Sequence, residues 1–463
     1  MNVFKLSGTI MLLLMSSLLQ AQDDTLTLKL NDVQQYALQH NKQLLNAKDD
    51  IAITEAQYKE TRAQGLPQIN GSMDYMTNFN YEAEIEFGGS EVAPPDINTE
   101  VLDAGDWEVL DAISQMMSPG PSTITLKDQM NAQVQVSQLV FSGQFWVGLE
   151  VAKIARGISG KQLEKTEQDV LEQVTNTYYL ILVSEESLDI IERNLSNVKE
   201  TLKHTQNYYK SGVAEKTDVD QIRMNVSQLR NTLEVTRRSV QLSYNMLKIQ
   251  LGLEQSKVIR LKDDLTSVLA KAESELLDKD FQLEQNLSFQ LVDYQEKMKA
   301  ELVDLEKWSY MPTVSGFYTY TEKIMTTEFD LSPRNALGVT VSVPIYAGGQ
   351  KKAKLQQAKI ELDKAQRNKS LLEDQLYLQD NQLKFELRSA FDNYETQKEN
   401  VEVAQSVYNS YYNKYKQGLV SSLDLTQANS NYLQAENNYI SSVLKLLQAK
   451  LALEKLYNIL SPN

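Results

Sequence analysis

Cysteine is absent from this chain of 463 residues, and histidine occurs only as His40 and His204. The absence of cysteine excludes disulfides, cysteine-ligated zinc or iron–sulfur clusters, a thiol nucleophile and a lipid anchor on an N-terminal cysteine. Two imidazoles also argue against a multi-histidine metal site and against histidine-based acid–base chemistry. We therefore expect a protein that is not an enzyme, with no catalytic residues, no metal ligands and no cofactor.

Basic residues are scarce relative to acidic ones. The chain has 46 lysines and arginines against 62 aspartates and glutamates, which gives a formal charge of −16. Nucleic acids and anionic membrane surfaces bind clustered lysine and arginine. The charge balance therefore argues against both as the main partner.

Proline and glycine are missing from two long stretches. No proline occurs in residues 122–311 or 345–461, and the only glycine between Lys161 and Leu251 is Gly212. Between Gln350 and the C-terminus the only glycine is Gly418. Because proline and glycine are the residues that stop helices, these stretches predict very long helices, each interrupted by one turn.

The N-terminus has the pattern of a secretory signal peptide, which we assign to residues 1–21. Lys5 supplies the positive charge, residues 10–19 are mostly apolar, and Leu19-Gln20-Ala21 is a suitable cleavage site. Removing Lys5 leaves 45 basic and 62 acidic residues, a charge of −17 for the mature chain. No later segment approaches the roughly 20 apolar residues of a transmembrane helix, so a membrane-spanning mature chain would have to use strands.

The sequence contains a tandem duplication. Residues 66–71 (LPQING) match 311–316 (MPTVSG) at an offset of 245, and residues 134–143 match 339–348 at an offset of 205. At an offset of 206, residues 209–212 (YKSG) align with 415–418 (YKQG). We assign the first repeat to residues 22–252, an equatorial linker to 253–276 and the second repeat to 277–463, each repeat beginning with a helix.

Each repeat contains two amphipathic strands, predicted at 66–80 and 130–142 in the first repeat and at 312–322 and 336–346 in the second. Apolar and polar residues alternate over about ten residues of each, near the roughly 9–11 residues that a tilted strand needs to cross a bilayer. The pattern alone fits a soluble sheet on a core equally well. In lipid, four strands leave open edges, so several chains would have to share one barrel.

Apolar residues at heptad spacing predict a long helical hairpin after each strand pair, at residues 145–251 and 350–457, with tips near 212 and 418. The seams contain threonine, serine, alanine and many tyrosines. Such seams fit a wide barrel of helices and also an ordinary solvated coiled coil.

These features together resemble the TolC-type outer-membrane efflux proteins. The similarity covers residues 26–458 and rests on the duplicated Pro-x-apolar-x-Gly strand start, the Gly-Gly-Gln at residue 348 and the repeated Tyr-x-x-Gly-apolar-x-x-x-x-Asp. It implies a mixed α and β membrane protein: a homotrimer with a 12-stranded transmembrane β-barrel continued by a periplasmic α-helical barrel. It also implies an outer-membrane location and a periplasmic adaptor and an inner-membrane transporter as partners.

The two turns are the candidate functional site. The local interpretation is that glycine stops each helix and that Asp218-x-x-Gln221 and Asp424-x-x-Gln427 are capping boxes for the returning helices. By resemblance, the turns would also contact the adaptor and constrict the pore entrance. The adaptor contacts would be Gly212, Val213, Gly418 and Leu419, and the constriction would involve Asp218, Asp424, Tyr209 and Tyr415. The family's arginine just after the second tip glycine is absent, because Leu419 occupies that position.

An acidic loop, residues 81–129, separates the first two strands, and the second repeat has no counterpart to it. Ten acidic residues and no lysine or arginine lie in residues 79–126. A solvated loop, a divalent-cation site and a partial plug over the exit all fit this composition.

The function we predict is passive conduction as the exit duct of a tripartite efflux or type I secretion system. Polar strand residues such as Gln68, Asn70, Gln133, Thr319 and Thr340 would line a water-filled lumen. The alternative is a secreted trimeric coiled-coil structural or adhesion protein with a small soluble sheet. The exported substrate is not predicted by the sequence.

Overall fold

The computed structural model describes residues 26–77, 79, 81–85, 103–117, 122–126, 128–269, 276–325 and 332–460. The predicted signal peptide and much of the predicted acidic loop lie outside these residues. The chain divides into two compact units. The described residues within 59–150 and 304–355 form the sheet unit, and those within 26–58, 151–303 and 356–460 form the helical unit. Both units draw on both predicted repeats.

The helices and strands follow one another in a simple order along the chain. The strands are β1 (Leu26–Leu28), β2 (Gln68–Met76), β3 (Tyr81–Ile85), β4 (Ser122–Leu126), β5 (Gln129–Phe141), β6 (Ile259–Leu261), β7 (Thr313–Met325) and β8 (Asn335–Ser342). The helices are α1 (Leu30–His40), α2 (Lys42–Ala63), α3 (Ala104–Met117), α4 (Gly143–Lys210), α5 (Lys216–Gln250), α6 (Leu265–Leu269), α7 (Leu287–Trp308), α8 (Gln350–Lys416) and α9 (Ser422–Leu456), with a short 3-10 helix at Leu283–Gln285.

Four antiparallel strands form the main sheet, in the order β2-β5-β7-β8. Their bounds differ by a few residues from those predicted: β2 and β8 are shorter, and β7 runs three residues further, to Met325. Among the described strands, β2 pairs only with β5 and β8 only with β7. The sheet therefore has two edges whose backbone groups have no strand partner in the described chain.

The register of this sheet places apolar residues on one face and polar residues on the other. Gly71, Val134 and Tyr320 are neighbours across three strands on the apolar face. Ser72, Gln133 and Thr321 are the corresponding neighbours on the polar face. The apolar face is exposed, with large side chains such as Ile69, Met73, Leu337, Val339 and Val341 between 58% and 84% accessible.

The long helices follow the predicted seams. Helices α4 and α8 contain 68 and 67 residues, about 100 Å each at 1.5 Å per residue. Near the ends of α4 and α5, Ile191, Leu195 and Val198 pack against Ile222 and Val226. The heptad pattern was therefore correct about which side chains are buried.

Two equivalent asparagines, 245 residues apart, make the same hydrogen bonds in the helical unit. Asn41 accepts hydrogen bonds from the second and third N–H groups of α2, and Asn286 does so for α7. The side-chain amide of Asn41 donates to Gln250 O over 2.7 Å, and that of Asn286 donates to Leu456 O over 3.0 Å. Each asparagine thus caps one helix and holds the last residue of a returning helix, 206 residues apart in the two halves.

Two segments that we predicted as a linker and as a loop contain helices and strands. The segment predicted as a linker contains β6, which pairs in parallel with β1, and α6, whose Leu265 and Val268 are buried. The segment predicted as an acidic loop contains β3 and β4, which form an antiparallel pair, and α3. None of the described helices has both the length and the apolar character that a membrane crossing requires.

Candidate functional site

The two glycines at the tips of the helical hairpins end α4 and α8 in the same way. Gly212 and Gly418 have positive φ angles of 80° and 71°, a conformation that glycine adopts without a steric cost. The next residues, Val213 and Leu419, donate their N–H groups to the carbonyl five residues back, over 2.8 and 3.0 Å. These are Schellman caps, so the predicted glycine stops are confirmed.

The N-cap of each returning helix lies three residues before the aspartate that we predicted as its N-cap. Glu215 and Ser421 are the N-caps of α5 and α9, while Asp218 and Asp424 take the third helical position. The two aspartates accept hydrogen bonds from the N-cap N–H groups over 3.0 and 3.1 Å. The predicted role of the aspartates as N-caps was therefore wrong. The hydroxyl and N–H of Ser421 hold the pKa of the Asp424 carboxyl below its usual range.

Three hydrogen bonds join the first tip to the second. The Tyr208 hydroxyl donates to Lys416 O over 3.2 Å. Ser422 Oγ donates to Asp218 Oδ1 over 2.6 Å. The hydroxyl groups of Thr205 and Tyr415 are 2.5 Å apart, with both residues buried. The structure thus brings Asp218 to the second tip, whereas Asp424 bonds within its own helix start.

Tyrosine rings pack against one another near these hydrogen bonds. Tyr208 meets Tyr415 edge to face, with ring centroids 5.9 Å apart, and Tyr408 stacks on Tyr432 at 5.8 Å. Burial raises the pKa of Tyr415 and raises that of Tyr408 to about 12. These phenols are therefore neutral groups within a packed aromatic cluster. Tyr208 was not predicted from the sequence, because only its neighbour Tyr209 is repeated at the offset of 206.

A small charged group lies on the outside of the aromatic cluster. Tyr412 donates its hydroxyl hydrogen to Glu200 over 3.1 Å, and the Lys416 ammonium lies 4.2 Å from the centre of the Tyr412 ring. His204 is 3.5 Å from the same Glu200 carboxylate. These contacts link α4 to α8 on the exposed side, where charge pairs contribute little to stability.

The predicted tip residues differ in exposure. Val213 and Leu419 are 71% and 69% accessible, which is unusual for large apolar side chains at two equivalent positions. Leu423, which was not among the predicted tip residues, is 64% accessible. Tyr209 is 47% accessible whereas Tyr415 is 6% accessible, so the two tyrosines expected to act alike have different environments.

Within the described residues, no group of three or more histidine, aspartate or glutamate side chains is arranged to hold a metal ion. The acidic residues at the tips instead serve in helix caps and in hydrogen bonds between helices.

Comparison with known sequences shows the family of the chain. The family of outer membrane efflux proteins matches residues 33–253 and 282–458, which together cover most of the chain. The chain belongs to the outer membrane efflux protein family. The resemblance inferred from the repeated motifs is thereby confirmed.

One curated relative that matches this chain is distant in sequence. The outer membrane protein TolC of Salmonella enteritidis is 22% identical over 252 residues. That match spans 50% of this chain and 49% of TolC, so it covers about half the length of the relative.

Two solved structures show the fold of this family member. The outer membrane protein VceC of Vibrio cholerae has a TM-score of 0.70 and 14% identity, over 93% of this chain and 96% of VceC. The CmeC outer membrane channel of Campylobacter jejuni has a TM-score of 0.70 and 15% identity, over 93% of this chain and 85% of CmeC. The mixed helical and strand architecture expected from the sequence is therefore confirmed at the level of fold.

Proposed function

We propose that this protein is the outer-membrane exit duct of a tripartite efflux or type I secretion system and that it conducts its substrates passively. The observation that carries the proposal is the main sheet, which has an exposed apolar face, a polar face and two unpaired edges. An open edge is not tolerated in lipid, because each unpaired N–H or C=O group costs several kcal/mol there, roughly 2–7 by transfer measurements. Pairing β8 of one copy with β2 of the next removes both edges.

Three copies closing one 12-stranded barrel would place the apolar face toward lipid and the polar face toward a water-filled lumen. Ser72, Gln133, Thr321 and Thr340 would then line that lumen. Closed barrels of this kind need no energy source of their own, so energy and substrate choice would belong to an inner-membrane transporter.

Apolar stripes on the helical unit support association with further copies of the chain. Val235, Leu242 and Ile249 recur at intervals of seven on α5 and are 57–67% accessible. Leu371, Leu378 and Phe385 recur at the same interval on α8 and are 55–72% accessible. Heptad-spaced apolar side chains pack between helices, and these two stripes have no covering helix in the described chain.

The tips would contact a periplasmic adaptor protein and constrict the pore entrance. Val213 and Leu419 offer exposed apolar contacts beside Gly212 and Gly418. The Ser422–Asp218 and Thr205–Tyr415 bonds would hold the two hairpins of each copy together in the closed state. The constriction would use Asp218 and Tyr415 in these bonds, with Asp424 and Tyr209 exposed beside them.

Adjacent residues of β8 provide a matched test of the membrane assignment. Val339 lies on the apolar face and Thr340 on the polar face. Val339→Lys should block insertion into lipid, because lysine at mid-bilayer on the lipid face costs about 2–4 kcal/mol. Thr340→Lys should leave trimers that conduct ions in planar bilayers. Equal behaviour of the two variants, or a mature chain soluble without detergent, would favour the secreted structural protein instead.

A further inference from the structure

Helix α3, in the segment predicted as an acidic loop, has a locally determined start. Asp103 Oδ1 accepts hydrogen bonds from Gly105 N over 2.9 Å and from Asp106 N over 3.1 Å, while Asp106 accepts one from Asp103 N. This reciprocal capping box fixes the beginning of the helix. The 14 residues of α3 therefore form a defined helix.

Its apolar side chains are exposed. Trp107, Val109 and Ile113 are 50–59% accessible, and Leu110 is partly exposed. Trp107, Leu110 and Ile113 are three residues apart and share one side of the helix, on which Val109 also borders Ile113. Glu108 is two residues from Leu110, about 200° around the helix, and so lies on the other side.

A helix of this length is only marginally stable in water unless its apolar side is covered, since isolated helices shorter than about 12–15 residues rarely persist. A lipid surface is a poor cover, because helices that lie on membranes carry lysine and arginine on their polar side. Residues 79–126 contain no lysine or arginine. Other copies of α3 are a better cover, because their apolar sides can meet while Glu108 stays in water.

We propose that the α3 helices of three copies pack together through Trp107, Leu110 and Ile113 and form a cap over the external end of the duct. The inference rests on the proposed function, since the shared barrel brings the three copies around one axis. The cap gives the acidic segment a specific role: apolar contacts hold it together, Asp106 stays in its capping box and Glu108 faces the solvent.

The absence of cysteine makes cross-linking a direct test. Leu110→Cys should form disulfide-linked pairs on oxidation of the purified trimer. Three cysteines around one axis can form only one disulfide, so up to about two thirds of the chains can be linked. The matched control Glu108→Cys should remain unlinked. Adding Trp107→Ser and Ile113→Ser to Leu110→Cys should slow the linking by more than about tenfold, because two large apolar contacts are lost.

The mass of the purified particle separates the two proposals. A trimer in which residue 110 does not link, or links no faster than residue 108, overturns the cap and leaves the duct intact. Quenching of Trp107 fluorescence by brominated lipids, in a Trp146→Phe and Trp308→Phe background, would place α3 on the membrane and also overturn the cap. A monomer would overturn both proposals.

Discussion

The hydroxyl of Ser422, the first residue of α9, donates a hydrogen bond of 2.6 Å to Asp218 Oδ1, near the start of α5. Ser422 is buried, and the preceding Ser421 is the N-cap of its own helix. Adjacent serines therefore have separate functions: one begins a helix and the other joins two hairpins. This separation allows the joint to be tested without changing the cap.

Ser422→Ala should loosen the two hairpins and raise the conductance of the trimer in planar bilayers. The hydroxyl would be lost while the Asp218 carboxylate keeps its bond to Glu215 N–H. Ser421→Ala is the control. It should lower the free energy of unfolding by about 0.5–2 kcal/mol, the usual cost of losing a helix cap, without the same rise in conductance. Unchanged conductance in Ser422→Ala and in Asp218→Ala plus Asp424→Ala would remove the tips from the gating mechanism.

The tyrosine cluster should make the hairpin ends sensitive to high pH. Burial raises the pKa values of Tyr408 and Tyr432 to about 12, against about 10 for an unfolded chain. The folded state therefore retains these protons when the unfolded state loses them, so the stability they contribute is complete below about pH 10 and falls as pH rises toward 12.

Thermal unfolding followed by circular dichroism across this pH range should show that fall. Tyr408→Phe should reduce its slope, because phenylalanine fills the same space without a titrating group. Tyr209→Phe, at an exposed position, is the control and should have the slope of the unmodified protein. Identical slopes for all three proteins would contradict the assignment.

The asparagines Asn41 and Asn286 should be equally important to the helical unit. Replacing either with alanine removes a helix cap and leaves the carbonyl of Gln250 or Leu456 without its side-chain donor. Each variant should lose about 1–3 kcal/mol in the free energy of unfolding. Because the two sites share no partner, the losses should add in the double variant. Denaturant titration of the three variants measures this, and a much larger loss at one site would show that the halves are not equivalent.

Features set by local backbone chemistry were predicted well from the sequence. Gly212 and Gly418 were identified as helix stops because little else ends a helix of nearly 70 residues, and alternation along β5 and β7 gave the correct faces. The capping boxes were misplaced because Asp218 and Asp424 resemble N-caps, and only the backbone shows that the helices begin at Lys216 and Ser422.

Contacts between distant segments could not be predicted in this way. The joint between Asp218 and Ser422 connects positions that are not equivalent at the 206-residue offset, so the repeat gave no sign of it. Strand β6 is only three residues long, too short for an alternation pattern, and its pairing with β1 crosses more than 200 residues. Such features depend on tertiary packing, which local propensities do not encode.

The polar face of the main sheet contains one large ring whose position depends on a glycine. Phe317 on β7 is the partner of Gly338 on β8, and a Cβ added at Gly338 would lie 2.6 Å from the Phe317 ring. At Gly316, on the apolar face of the same sheet, the nearest atoms to an added Cβ are 3.9 Å away.

Gly338→Ala should therefore force the Phe317 ring off the strand and destabilise the sheet by about 1–3 kcal/mol, the usual cost of overpacking. Gly316→Ala should be nearly neutral. The fraction of protein recovered as heat-modifiable trimers measures the difference, and adding Phe317→Ala should restore much of the trimer lost in Gly338→Ala, because that pair of residues is coupled. Strand β8 supplies an edge that closes the proposed barrel. If the loss of trimers in Gly338→Ala persists after Phe317→Ala is added, the backbone at that edge requires the glycine, and the ring does not.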